Sequence, residues 1–300
     1  MEHIIGRFID PLSDFGFKHL FRNEPNKDIL IDFLNQLFKG QKEIADLVYS
    51  PTEHAGDNDQ LKKIFFDLLC TGTNGEQFII EMQRAEQRNF RDRTVFYTSR
   101  LINEQLPKGQ SHWNIELKEV YLIAILEFNF RESNPGDYLH HVALANTNTH
   151  EIFYNKLGYK FLELPKFVKT EEELETDLDR WFYLLKHMSH LDKVPAVLNK
   201  RVFQKVFKIA EVSNLTKEEK AMYDSSLKAK WDYENSIAYA EEKAEERGRL
   251  EGKLEGKLEG KLEGKVEEAI AIPRELKKEG LAIEFIAKTT KLSIEEIEKL

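Results

Sequence analysis

The segment KKIFFDLLCTGTNGEQFIIEMQRAEQR constrains the fold more than any other stretch of the chain. It sets two apolar, β-rich runs, 63–71 and 76–84, on either side of Thr73-Asn74-Gly75. Such a pattern predicts a hairpin. Each run also carries a carboxylate at an apolar position: Asp67 between Phe66 and Leu68, and Glu81 between Ile80 and Met82. A buried carboxylate costs several kcal/mol unless a cation or another charge compensates it, so these two residues need an explanation. The turn decides whether they meet. A three-residue loop, closed by Gly75 in the left-handed conformation, pairs Gly72 with Glu76 and brings Asp67 opposite Glu81. A two-residue loop pairs Asp67 with Met82 and sends the carboxylates to opposite faces. In the first register the two Cβ atoms stand about 5 Å apart, within reach of one divalent cation, and Gln83 shares their face.

The rest of the chain up to about residue 215 predicts a mixed α/β domain. Ser13 or Asp14 caps a helix over DFGFKHLF, and NKDILIDFLNQLF repeats apolar residues at spacings of three and four. Residues 90–106 read as a helix, 119–130, 139–145 and 159–164 as strands, and 171–190 and 194–212 as helices that close over the sheet. Trp181, Phe182 and Tyr183 are core or interface aromatics. His140, His141 and His150 lack the partners of a zinc site and are structural. Cys70 is a packed thiol, and as the single cysteine it excludes an internal disulfide.

Composition limits the partners. A formal net charge of -9 argues against a protein that coats nucleic acid non-specifically, so any DNA contact must be local. No apolar run approaches the roughly 20 residues of a membrane span, and MEHIIGRFID lacks the features of a secretion signal. The expectation is a cytoplasmic protein with no membrane partner.

Residues 216–268 form a second zone ending in the four-residue repeat GRLEGKLEGKLEGKLEGKVEE. On a helix this repeat advances each residue type by about 40° per turn of the pattern, so like charges fall beside like at i,i+4. Its five glycines each cost about 1 kcal/mol relative to alanine. Alone, such a helix is weak. Two readings stand: a close-packed helix pair using the glycine and leucine rows, or a semi-flexible arm. Residues 269–300 form a third zone of two short helices with Ser293 and Glu296 as a capping box. It has half of a helix-turn-helix pattern, but its last helix is acidic, which favours a helical hairpin that packs on a partner.

Asp67, followed fourteen and sixteen positions on by Glu81 and Gln83, resembles the PD-(D/E)xK nuclease signature, with glutamine in place of the final lysine. DPLSDFGFKHLF, IIEMQ, RTVFY and KLEGKLEGK, taken in order over nearly the whole chain, are similar to the bacterial recombination-promoting nuclease and transposase family. The resemblance implies a restriction-endonuclease-like core over 1–215 and metal-dependent DNA cleavage, sometimes linked to mobile elements. It makes Asp67, Glu81 and the backbone carbonyl of Met82 ligands of a divalent metal, Mg²⁺ in the first instance and Mn²⁺ in the second. Gln83 then orients the attacking water, although an amide has neither charge nor basicity. Asp14 either reaches a second ion or serves as a helix cap. Arg84, Arg88, Arg91, Arg93 and Arg100 form a local basic patch, with Arg93 and Tyr97 on one helical face near the scissile strand or, alternatively, in an ordinary surface and core role. The partners implied are DNA and, through the C-terminal helices, further copies of the chain. The alternative to an active deoxyribonuclease is a catalytically weak DNA-associated or protein-interaction module that keeps the fold.

Overall fold

The computed structural model describes residues 6–54, 64–106 and 115–300 of the chain. Its organising feature is the hairpin. Gly75 takes φ +85°, a conformation that favours glycine, and the Gly72 amide donates to the Glu76 carbonyl at 2.8 Å across a three-residue turn. Strands β4 (Leu68–Gly72) and β5 (Gln77–Gln83) therefore pair antiparallel with Leu68 opposite Ile80 and Cys70 opposite Phe78. This is the register in which Asp67 follows opposite Glu81.

The hairpin is part of a six-stranded mixed sheet. On its outer side β4 pairs antiparallel with β1 (Leu47–Tyr49). On the inner side β5 runs parallel to β6 (Val120–Leu126), which runs parallel to β8 (Ile152–Glu163). Strand β7 (Leu139–Ala145) closes the far edge antiparallel to β8, giving the order β1-β4-β5-β6-β8-β7. The central strand VYLIAIL is almost wholly buried, as a strand covered on both faces must be. A separate two-stranded ladder joins β2 (Glu53–His54) to β3 (Ile64–Phe65).

Helices cover both faces. The Ser13 hydroxyl accepts from the Gly16 amide and caps α1 (Asp14–Phe21). A 3₁₀ turn carrying Pro25 leads into α2 (Lys27–Leu37). With α4 (Asp177–His187) and α5 (Arg201–Ala210) these helices share a core in which Trp181 packs on Phe21, Phe33 and Phe203. Phe38 joins that core to Phe78 and Tyr121 of the sheet. The opposite face receives α3 (Phe90–Glu104), where Phe90 and Leu101 lie over Ile79, Leu122 and Leu126. Among the described residues, no helix is long and apolar enough to cross a membrane.

Several boundaries differ from the sequence expectation. The run 63–71, whose first residue lies outside those described, is not one strand: it breaks at Phe66-Asp67. The next ladder bond would join Phe66 and Met82. Instead the Met82 amide donates to Asp67 Oδ2 at 2.9 Å, and the Phe66 amide donates to the Thr52 carbonyl at 3.0 Å. Strand β6 stops at Leu126, because Phe128 and Phe130 turn onto Phe90 and Phe161. Strand β8 starts seven residues before 159, since its first half, in which Ile152 and Phe153 are exposed, pairs with β7 in a hairpin. The helix expected over 171–190 begins late, where Thr176 and Asp179 form a capping box at 2.9 and 3.0 Å. Likewise, 194–212 resolves into a 3₁₀ turn and α5. Strands β1 and β2 carried too few residues to be read from the sequence.

The chain divides into two compact units, Met1–Lys228 and Ala229–Leu300. Helix α6 (Lys217–Lys278) starts in the first and makes up most of the second, so the Gly-Leu-Glu-Lys repeat is helical. Its Leu250, Leu254, Leu258 and Leu262 are exposed by 56–71%. A Cβ built on any of its five repeat glycines meets no atom within 4 Å. Beyond it, α7 (Ile283–Thr290) and α8 (Ile294–Glu298) bury Ile286 and Ile297, and Ser293 with Glu296 forms the expected capping box.

Candidate active site

The break in the hairpin builds the site. Because Asp67 stands just outside the ladder, its amide is released from strand geometry and donates to Glu81 Oε1 at 3.2 Å. Its own carboxylate takes the Met82 amide, so each acidic residue holds the other's strand. Gln83, two residues on along the same face, donates from Nε2 to Glu81 Oε2 at 3.3 Å. The amide oxygen of Gln83 accepts from the Arg93 guanidinium. A second nitrogen of Arg93 donates to Gln87 Oε1 at 2.6 Å, and the guanidinium lies 5.9 Å from the ring centroid of Tyr97. The result is a polar row: Asp67, Glu81, Gln83, Arg93.

Its electrostatics follow from burial. Glu81 is only 5% exposed, and desolvation, reinforced by the charge of Asp67, pushes its carboxyl up to about 8. Burial also raises Asp67; the Met82 hydrogen bond and the charges of Lys18 and Arg93 oppose that shift, while Asp14 adds to it. Tyr97 is raised by burial and then by Glu81. Two carboxyls are thus held together where negative charge is unfavourable. Their oxygen donors suit a hard divalent cation, which would remove the cost of ionising both. Among the described residues, no group of three or more His, Cys, Asp or Glu side chains is gathered to hold a metal. A cation at this pair would therefore complete its shell with backbone carbonyl and water. The Met82 carbonyl lies on the same edge of β5 as its amide, facing Asp67.

The other residues singled out in the sequence separate. Asp14 is ion-paired with Lys18 at 2.7 Å, with more than half of its side chain exposed; it influences Asp67 by charge, and Ser13 is the residue that caps α1. Arg93 and Tyr97 reach the carboxylate row. Arg91 does not: it lies on the other flank of α3, bonded to Glu132 at 2.5 Å and 5.3 Å from the Phe130 ring. Arg100 pairs with Glu104 along the helix at 2.9 Å. Arg88 is exposed and Arg84 half-buried on the connection from β5 to α3. Sequence reasoning missed Lys18, whose charge acts on Asp67; its only signal was the spacing of four from Asp14.

A mixed sheet in which an antiparallel hairpin leads into parallel strands, with helices on both faces and a carboxylate pair where the hairpin breaks, defines the class: a restriction-endonuclease-like α/β protein. A family model described as PD-(D/E)XK nuclease family transposase matches residues 11–240, and the chain belongs to that family. Neither the curated proteins nor the solved structures gave a match.

Proposed function

We propose that the chain is a divalent-metal-dependent DNA endonuclease, using Mg²⁺ with Mn²⁺ as a substitute, and that its substrate is DNA processed in recombination or at mobile elements. The observation that carries this reading is the Asp67–Glu81 pair: the buried Glu81 carboxylate accepts from the Asp67 amide, and the partly buried Asp67 carboxylate accepts from the amide of Met82, next to Glu81. Asp67, Glu81 and the Met82 carbonyl would hold the ion. When bound, it supplies neutralisation of the scissile phosphate and a more acidic water. Gln83 bridges Glu81 to Arg93 and cannot itself carry a proton or a charge. Arg93 therefore brings positive charge to the place where the signature has lysine, through the amide, and its planar fork fixes that amide by bonding Gln83 and Gln87 together.

Under this reading 1–215 carries the nuclease domain, 216–268 a helical linker and 269–300 a helical hairpin. The exposed leucine row of α6 supports self-association of the chain through this region. A catalytically weak module is the second reading, favoured by one feature, the neutral residue at 83. Incubating the full chain with plasmid and Mg²⁺ or Mn²⁺ separates the two. Metal-dependent cleavage that disappears in both Asp67→Ala and Glu81→Ala supports the nuclease; absence of metal-dependent cleavage in the wild type supports the module.

A further inference from the structure

On the flank of α3 away from Arg93, the chain forms an open cavity of about 550 Å³. Its floor is aromatic. Tyr159 and Phe161 lie with ring planes 7° apart, and Phe130 stands edge-on to Phe161 with centroids 5.5 Å apart. Val95 of α3 and Val142 of β7 form the walls, both half-exposed. Polar groups gather at the mouth, where Arg91 pairs with Glu132, and the Asn134 amide donates to Asp137 Oδ2 at 2.9 Å.

A fully buried carboxylate holds this cavity in shape. Glu163, at the end of β8, accepts from the Phe130 amide at 2.8 Å and from the Ser133 hydroxyl at 2.7 Å, and it also contacts His140 and Lys166. Burying a charge is costly unless donors surround it, and here two of the donors belong to the loop that carries Phe130. The ring is therefore fixed in place before any ligand arrives.

The volume lies within the roughly 300–1,000 Å³ of small-molecule sites. Three rings with a few polar groups along one side suit a flat heterocycle, whose faces meet aromatic surface while its edge meets amide and carboxylate. The carboxylates at the mouth disfavour a phosphate inside, whereas Arg91 at the rim can meet one outside. We propose that this cavity binds an unstacked nucleobase. The base can come from a DNA strand or from a free nucleoside; the DNA source rests on the nuclease reading, and the cavity's chemistry does not.

The test compares a short fluorescent single strand with the same strand made of abasic linkers, binding the full chain in EDTA so that no cutting occurs. The expected result is binding to the base-bearing strand tighter by about tenfold or more, the effect of one base on an aromatic surface. Val142→Trp and Val95→Trp, which fill the cavity from exposed positions, should abolish that preference and leave abasic binding unchanged. In parallel, adenosine is titrated into wild type and Val142→Trp by equilibrium dialysis. Nucleoside binding lost in the variant, with no DNA binding, supports the cavity and removes support from the nuclease reading. A base preference that survives both tryptophan variants, or failure to bind either base-bearing DNA or adenosine, overturns the proposal. Plasmid cleavage measured alongside reports on the nuclease reading separately, so the two can fail independently.

Discussion

Burial and the neighbouring charge of Asp67 raise the Glu81 carboxyl from its ordinary 4.5 to about 8, and that sets how stability varies with pH. Between those values the native state holds a proton that the unfolded chain has released. Its contribution is therefore complete below about pH 4.5 and is lost as pH rises through 8. Glu81→Gln, which never ionises, should melt progressively higher than wild type from pH 5 to 8 in EDTA, with the difference levelling off above that. A calorimetric difference independent of pH would mean that Glu81 does not hold the proton. Arg93 gives a second residue-level test. Arg93→Ala should lower the turnover of plasmid cleavage by about a hundredfold, the lower end of the range for removing a preorganised donor. Arg93→Lys, which keeps the charge and loses the fork, should fall between. Equal rates for all three proteins would exclude Arg93 from the reaction. Asp67 and Glu81 were legible in the sequence because charge inside an apolar run is expensive. The Gln83–Arg93 bond and the field of Lys18 were not, because they depend on how α3 and α1 pack on the sheet.

At the scale of elements, the site exists because a three-residue turn sets the hairpin register. Gly75 is the residue on which that turn depends, since φ +85° is strained for any side chain and an added Cβ would lie 3.3 Å from Lys118 Cγ. Gly75→Ala should cost about 1 kcal/mol or more in chemical denaturation, from backbone strain. Deleting Asn74 should do more: a one-residue slip turns one carboxylate to the opposite face and abolishes cleavage, even where the protein still folds. Cleavage retained by the deletion would show that register does not make the site. Strands β5 and β7 were readable from their apolar runs. The first half of β8 was hidden because Asn155, Lys156 and Gly158 interrupt its apolar pattern: Asn155 is exposed, Lys156 pairs with Glu116, and Gly158 lies against the Tyr121 ring. The end of β6 was hidden because aromatic Phe128 and Phe130 look like strand residues while packing as a loop.

For the whole molecule, the mixed strand order could not be read from the sequence, because periodicity identifies a strand without naming its neighbours. The C-terminal unit raises a different question. Its repeat is expensive in glycine and like-charge rows, and its leucines are exposed along α6. If that row seats a second copy, light scattering should give the wild type a multiple of 35.2 kDa and the double variant Leu254→Asp, Leu258→Asp a mass near 35.2 kDa. The same mass for both proteins would remove the assembly role from the repeat. The central claim, that Asp67 and Glu81 jointly hold one cation, is tested most directly by titrating Mn²⁺ into the full chain by calorimetry. Binding in the wild type that is lost in both Asp67→Ala and Glu81→Ala is the predicted result; either variant binding Mn²⁺ as tightly as the wild type would contradict it.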